Sequence, residues 1–167
     1  DPDRGEPIGY TRGVPRLGIP ALRWVDGPGG VESRYDATAL PQPLALAATF
    51  SRDLSREYGV VQGRDTRALH MDVFLGPMVN AARLPNWGRN ATSLGEDPFL
   101  ISELNEPQVR GIQAQGAIAS VKHYLGYNQA FGVDAEQHQK LGNDFVIDDR
   151  TLHEIYLPGF ESGVRAK

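Results

Sequence analysis

Ala21-Leu22-Arg23-Trp24-Val25-Asp26-Gly27-Pro28-Gly29-Gly30 is the stretch that decides the architecture. Its apolar part, Ala21 to Val25, has the length of a buried strand and stops at an acid followed by a turn cluster. Downstream, Leu54, Tyr58, Val61, Ala68 and Leu69 recur at helical spacing, with Ser51 placed as the cap of that helix. Met71 to Leu75 reads as a second strand, ended by Gly76-Pro77. A loop rich in Asn, Pro and Gly then runs from Val79 to about Pro98. A second helix is expected over Phe99 to Gln115, where Pro107 should break or kink it. Ile118 to Tyr124 gives a third strand. The last helix opens at Asp148-Asp149, where negative charge suits a helix N-terminus, and should present Leu152, Ile155, Tyr156 and Phe160 to a core. Strands alternating with helices predict an α/β fold built on a parallel sheet.

The 167 residues hold roughly three such strand–helix units and no internal repeat. A closed eight-fold β/α barrel takes about 250 residues, so a barrel could be present only in part. An open doubly wound sheet fits the length better, and on periodicity alone both architectures stand. Apolar residues make up 40% and charged residues 23%, the balance of a globular protein with a real core rather than a disordered tail. The net charge is −4 with Lys and Arg scattered, which argues against nucleic acid and anionic membrane as partners. The longest apolar run, Pro43 to Phe50, falls far short of the ~20 residues that span a bilayer. With no cysteine, disulfides and thiolate chemistry are excluded, and the compartment stays open. The opening Asp-Pro-Asp-Arg, without Met or a leader pattern, is expected either after removal of a leader or inside a longer precursor. Secretion or a periplasmic location is slightly favoured.

In β/α barrels the chemistry sits where strands end and loops begin, and three constellations occupy such places. Asp26, at a strand tip before glycines that admit a ligand to the backbone, can accept hydrogen bonds from two neighbouring hydroxyls; alone it reads first as a turn cap. Trp87-Gly88-Arg89-Asn90, followed by Gly95-Glu96-Asp97-Pro98, lies in a loop too long to be a plain connection. There Arg89 offers a rigid fork of donors, while Glu96 and Asp97 are read as capping the next helix rather than as catalysts. Asn90-Ala91-Thr92 matches a glycosylation sequon, a three-residue match of little weight. Lys122-His123 closes a buried strand and so belongs at its exposed mouth. His70, His123, His138 and His153 share no metal-ligand spacing, so neither metal nor cofactor is expected.

Taken in order, Asp26-Gly27-Pro28-Gly29-Gly30, Trp87-Gly88-Arg89-Asn90, Gly95-Glu96-Asp97-Pro98, Lys122-His123-Tyr124 and the helix from Asp149 to Phe160 resemble glycoside hydrolase family 3, most closely its β-glucosidases. The resemblance runs from about Gly18 to Lys167. It implies a partial (β/α)8 TIM-type barrel, the first three to four strand–helix units, with residues 1–167 as one incomplete domain. It also implies removal of terminal non-reducing β-D-glucosyl residues with retention, with Asp26, Arg89, Lys122 and His123 lining the pocket for the terminal sugar. The expected partners are a β-linked glucoside or oligosaccharide and the remainder of the polypeptide or a companion chain. The family's nucleophile lies in a Ser-Asp-Trp-like segment on a later strand and its general acid later still. Neither is found here, so no catalytic residue is assigned in this chain. Retaining chemistry needs two carboxylates about 5 Å apart.

Ala91 and Thr92 stand where many relatives carry an aromatic and a Glu, and Pro107 where they have an uninterrupted helix. His123-Tyr124-Leu125-Gly126 lacks the Pro-Gly-His segment of the N-acetylglucosaminidase branch, which leaves β-glucosidase or β-xylosidase chemistry as the better match. The reading from another class is a carbohydrate-binding fragment that kept the pocket without catalysis.

Overall fold

The structure is a computed structural model that describes residues 7–33, 36–128 and 145–167. His138, among the histidines weighed above, lies outside the described residues. Strands β1 (Gly9–Tyr10), β2 (Arg23–Asp26), β3 (Val73–Leu75) and β4 (Ile118–Ala119) form one sheet in that order. Five α-helical segments are described: α1 (Pro43–Ala47), α2 (Arg52–Ala68), α3 (Pro98–Gln113), α4 (Asp149–Thr151) and α5 (Leu157–Arg165). A π-helical turn, Leu152–Tyr156, joins the last two.

β2, β3 and β4 are parallel, with Trp24, Val25 and Asp26 opposite Val73, Phe74 and Leu75, and Val73 and Phe74 opposite Ile118 and Ala119. Their order follows the chain without reversal, as in a barrel wall and unlike the switch point of a doubly wound sheet. The sheet is not wholly parallel, however. β1 lies antiparallel on the outer side of β2, a two-residue pairing too short to leave a periodic signature. The third strand is also shorter than Ile118 to Tyr124. Beyond Ala119 the chain stays alongside the loop after β3 through Lys122 N–H to Pro77 O (2.9 Å) and Val79 N–H to Lys122 O (2.9 Å).

The pleat divides the strands between two faces. Val25 and Phe74 are fully buried and pack with Leu69, Met71, Ile112 and Ala117 beneath α2 and α3. Trp24, Asp26, Val73 and Leu75 take the opposite face. A second apolar cluster joins Leu46 and Ala47 of α1, Tyr58 of α2, Val79 and Leu94 of the loop and Ile101 and Leu104 of α3.

Capping follows the sequence reading. Ser51 Oγ accepts from Leu54 N (3.2 Å), Asp97 Oδ1 from Phe99 N (2.8 Å) and Asp148 Oδ1 from Thr151 N (3.0 Å). Which faces are buried does not follow it. Leu54 is 46% exposed, while α2 buries Ser55, Gly59, Gln62, Gly63 and Thr66 along with Tyr58. The reason is the crossing with α3. A Cβ on Gly59 would lie 2.1 Å from Gln108 O, and one on Gly111 2.3 Å from Arg56 O. The helices approach backbone to backbone, and Ser55 Oγ donates to Leu104 O across the seam (2.6 Å).

That seam also explains Pro107. α3 runs through it unbroken from Pro98 to Gln113, because Leu104, Asn105, Gln108, Val109 and Ile112 are all buried on either side of it. Tertiary packing on both flanks outweighs the one lost backbone bond. In the last helix Tyr156 is buried as expected, but Ile155 faces outward at 38% exposure. Its opening turns pass through the π turn, which rotates later positions relative to a regular helix. Among the described residues no helix is long and apolar enough to cross a membrane.

Candidate functional site

Asp26 ends β2 with its side chain on the face away from the helices. The following turn folds tightly back. Gly27 N–H donates to Asp26 Oδ1 (2.9 Å), and a Cβ on Gly27 would sit 2.5 Å from both Gly30 O and the Phe74 ring. Glu32 N–H reaches Asp26 O at 2.8 Å and closes the loop. α2 holds the middle of that loop from below. Tyr58 Oη lies 2.6 Å from Pro41 O and 3.2 Å from Pro28 O, and Gln62 Nε2 donates to Pro28 O at 2.8 Å. Burial pushes the Tyr58 phenol well above its ordinary pKa, so it stays a protonated donor at any physiological pH. Tyr58→Phe should therefore lower stability by ~1 kcal/mol, read as a small drop in the unfolding temperature with the fold intact. An unchanged melt would mean the carbonyls find other donors.

Lys122 reaches the same point from the segment that follows the third parallel strand, β4. Its Nζ donates to Asp26 Oδ1 and to Gly27 O, the latter at 2.9 Å. The pair joins residues 96 apart in sequence. The ammonium is largely covered, with 12% of the Lys122 side chain exposed against 34% for Asp26. The result is a neutral pair whose carboxylate still faces the open side of the sheet end.

His123 follows at once and is held by Asn80, a residue of the loop after β3 that is 2% exposed. Asn80 Nδ2 donates to His123 O (2.9 Å), His123 N–H donates to Asn80 Oδ1 (2.7 Å), and His123 Nδ1 lies 3.3 Å from that same oxygen. The imidazole packs on Tyr127, ring centroids 4.8 Å apart. Arg89 joins this cluster through Tyr127, its guanidinium carbon 5.9 Å from the ring centroid, and Trp87 meets the same ring edge-on at 6.1 Å. The Arg89 loop is pinned from behind, where Ser93 Oγ donates to Asn80 O at 2.6 Å and Ala82 N–H to Gly95 O at 2.8 Å.

All four residues singled out in the sequence therefore sit at the C-terminal end of the parallel strands. Asp26 and Lys122 touch, His123 is adjacent, and Arg89 is linked through an aromatic ring. Glu96 and Asp97 stand apart from this cluster, Asp97 as the cap of α3. Asn90 turns its side-chain amide inward to Leu84 O (2.8 Å) and Pro85 O (3.1 Å). Asn80 and Tyr127 escaped the sequence reading. Asn80 had one available signal, a lone polar residue inside the apolar run Met78-Val79-Asn80-Ala81-Ala82 just past a strand; Tyr127 had none. Among the described residues no cluster of three or more His, Asp or Glu is arranged to hold a metal ion.

The family model described as the glycosyl hydrolase family 3 N terminal domain matches residues 11–167. A probable β-glucosidase F of Aspergillus flavus is 42% identical over 97% of this chain and 19% of its own length. Thermostable β-glucosidase B of Acetivibrio thermocellus is 34% identical over 93% of the chain and 21% of its own. Among solved structures, the β-glucosidase DesR of Streptomyces venezuelae, in complex with D-glucose, superposes with a TM-score of 0.84 at 44% identity, covering 99% of this chain and 20% of that one. β-Glucosidase 3B of Thermotoga neapolitana, in complex with glucose, gives 0.84 at 36% identity over 96% and 23%. The chain thus spans about a fifth of the length of the curated relatives it matches. Its matched residues, its strand order and the placement of its motif residues at the strand ends lead to one statement: the chain belongs to glycosyl hydrolase family 3, in the N-terminal domain of that family.

Proposed function

We propose that this chain forms the terminal-sugar pocket of a retaining, exo-acting, β-glucosidase-like hydrolase that removes terminal non-reducing β-D-glucosyl residues. The observation that carries the reading is the Asp26–Lys122 pair at the mouth of the parallel strands. A neutral couple of strong acceptor and strong donor suits an uncharged polyol, since each can bond a hydroxyl while the other balances its charge. Asp26 accepts from two adjacent hydroxyls, Lys122 donates to one of them, and His123 and Arg89 line the rest. The relatives solved with glucose support the substrate class. We assign the nucleophile and general acid to sequence beyond these residues, because no Ser-Asp-Trp-like segment occurs here and the relatives are about five times longer.

Lys122→Met in the full-length enzyme tests this. It keeps the stem and removes the charge and donors, a loss of roughly one charge-assisted bond of 1.5–3 kcal/mol, so kcat/KM should fall ~10- to 100-fold. The limbs of the pH–rate profile should stay in place, because they belong to the nucleophile and acid. The same holds for His123→Ala. Unchanged kinetics in both variants would return the pair to solvated surface. Tight glucose binding without hydrolysis by the full-length protein would favour the carbohydrate-binding reading. A pH limb that disappears with His123 would make that residue the acid–base group and move the chemistry toward the N-acetylglucosaminidase branch.

A further inference from the structure

We propose that Asn80 is a positioning residue that fixes both the place and the tautomer of His123. The inference rests on the assignment of His123 to the sugar pocket. Asn80 pairs with the His123 backbone through both ends of its amide, donating from Nδ2 to the carbonyl at 2.9 Å and accepting at Oδ1 from the N–H at 2.7 Å. These two hydrogen bonds, one to a backbone acceptor and one from a backbone donor, dictate which end of the amide is which. Reversing it would set donor against donor and acceptor against acceptor, on a side chain with 2% exposure. Oδ1 therefore faces the imidazole, 3.3 Å from Nδ1.

An amide oxygen only accepts, so the ring nitrogen beside it carries the proton. A neutral His123 is thereby held with its hydrogen on Nδ1, which makes Nε2 the acceptor nitrogen. An Nε2 without hydrogen accepts where the opposite tautomer would donate. This complements Lys122 next to it, which only donates. The same Asn80 also receives Ser93 Oγ at its backbone carbonyl (2.6 Å), so one buried residue ties the Arg89 loop to the His123 segment.

The test is a double-variant cycle in the full-length enzyme, with a spectroscopic arm. Asn80→Ala should lower kcat/KM ~10- to 100-fold, the scale of a misplaced binding group. The variant Asn80→Ala/His123→Ala should be no worse than His123→Ala alone within about threefold, because two residues acting as one unit are not additive. Solid-state 15N spectra of enzyme labelled at histidine should show a neutral ring protonated at Nδ1. The signal is assigned by its loss in His123→Ala, and it should change tautomer in Asn80→Ala. Multiplying effects in the double variant, or an Nδ1 that stays protonated without Asn80, would overturn the inference. Should Asn80→Ala not fold, the near-isosteric Asn80→Asp takes its place in the same cycle. Its carboxylate beside Nδ1 should raise the pKa of the ring and show the same non-additivity, and an unmoved His123 titration would count against us. Normal kinetics in His123→Ala would instead remove the sugar-pocket assignment itself, leaving the tautomer result to be judged on its own.

Discussion

Replacing Asp26 by alanine in the full-length enzyme is expected to lower kcat/KM by two to four orders of magnitude while the protein stays folded. The estimate takes two charge-assisted hydrogen bonds to sugar hydroxyls at roughly 1.5–3 kcal/mol each, with ~1.4 kcal/mol per decade of rate. Asp26 also neutralises Lys122, whose side chain is only 12% exposed. Its removal leaves a largely covered ammonium with Gly27 O as its remaining partner in this cluster, and that adds to the loss rather than offsetting it. Asp26→Asn separates the two effects, since it keeps an acceptor oxygen for Gly27 N–H and removes the charge. It should fall between the parent and the alanine variant. Near-normal kcat/KM in a well-folded Asp26→Ala protein would demote the residue to the cap of a turn.

The second large effect concerns stability. Gly59→Ala is expected to destabilise the domain by ~3 kcal/mol or more, the upper range of overpacking substitutions. The new Cβ would stand 2.1 Å from Gln108 O, and that atom is backbone of the facing helix rather than the end of a pliable side chain. Relief requires α2 and α3 to separate along a seam that also carries Gly63 against Ile112 O at 2.5 Å. In a domain of 150–250 residues this corresponds to a fall of very roughly 6–12 °C in unfolding temperature. Gly88→Ala is the matched control, because nothing lies within 4 Å of its Cβ position. A Gly59→Ala protein that melts together with the parent and the Gly88→Ala control would mean that the two helices do not cross here.

A consequence for engineering follows from the same seam. The buried surface of α2 includes Gln62 and Ser55, whose polar groups are used by Pro28 O, by Gln108 Nε2 and by Leu104 O. Conversion of both to leucine would add apolar area, but it would remove the Gln62 support under the turn that follows Asp26 and the Ser55 bond to α3. A hydrophobic gain is there opposed by unsatisfied carbonyls and by steric overlap.

Features governed by neighbours in the chain were legible in the sequence by itself. The ends of the first two parallel strands at Asp26 and Leu75, the caps Ser51, Asp97 and Asp148, and the location of Asp26, Arg89 and Lys122-His123 at loop mouths all depend on a few successive residues. Turn chemistry and cap hydrogen bonds are local properties, and a motif reports them directly, whereas the sequence overran the third strand, which spans only Ile118–Ala119. What only the tertiary structure decided was anything set by distance through space. Apolar spacing pointed to Leu54 as a buried position of α2, yet the helix buries its glycines and short polar residues, because backbone contact selects for a missing Cβ rather than for hydrophobicity. Pro107 should have ended a helix judged alone, and it survives inside one clamped on both flanks. The two-residue β1 exists only because β2 offers an edge. The ion pair of Asp26 with Lys122 and the hold of Asn80 on His123 join residues 96 and 43 positions apart. No local pattern encodes such meetings, since they arise when parallel strands bring successive loops to one end of a sheet.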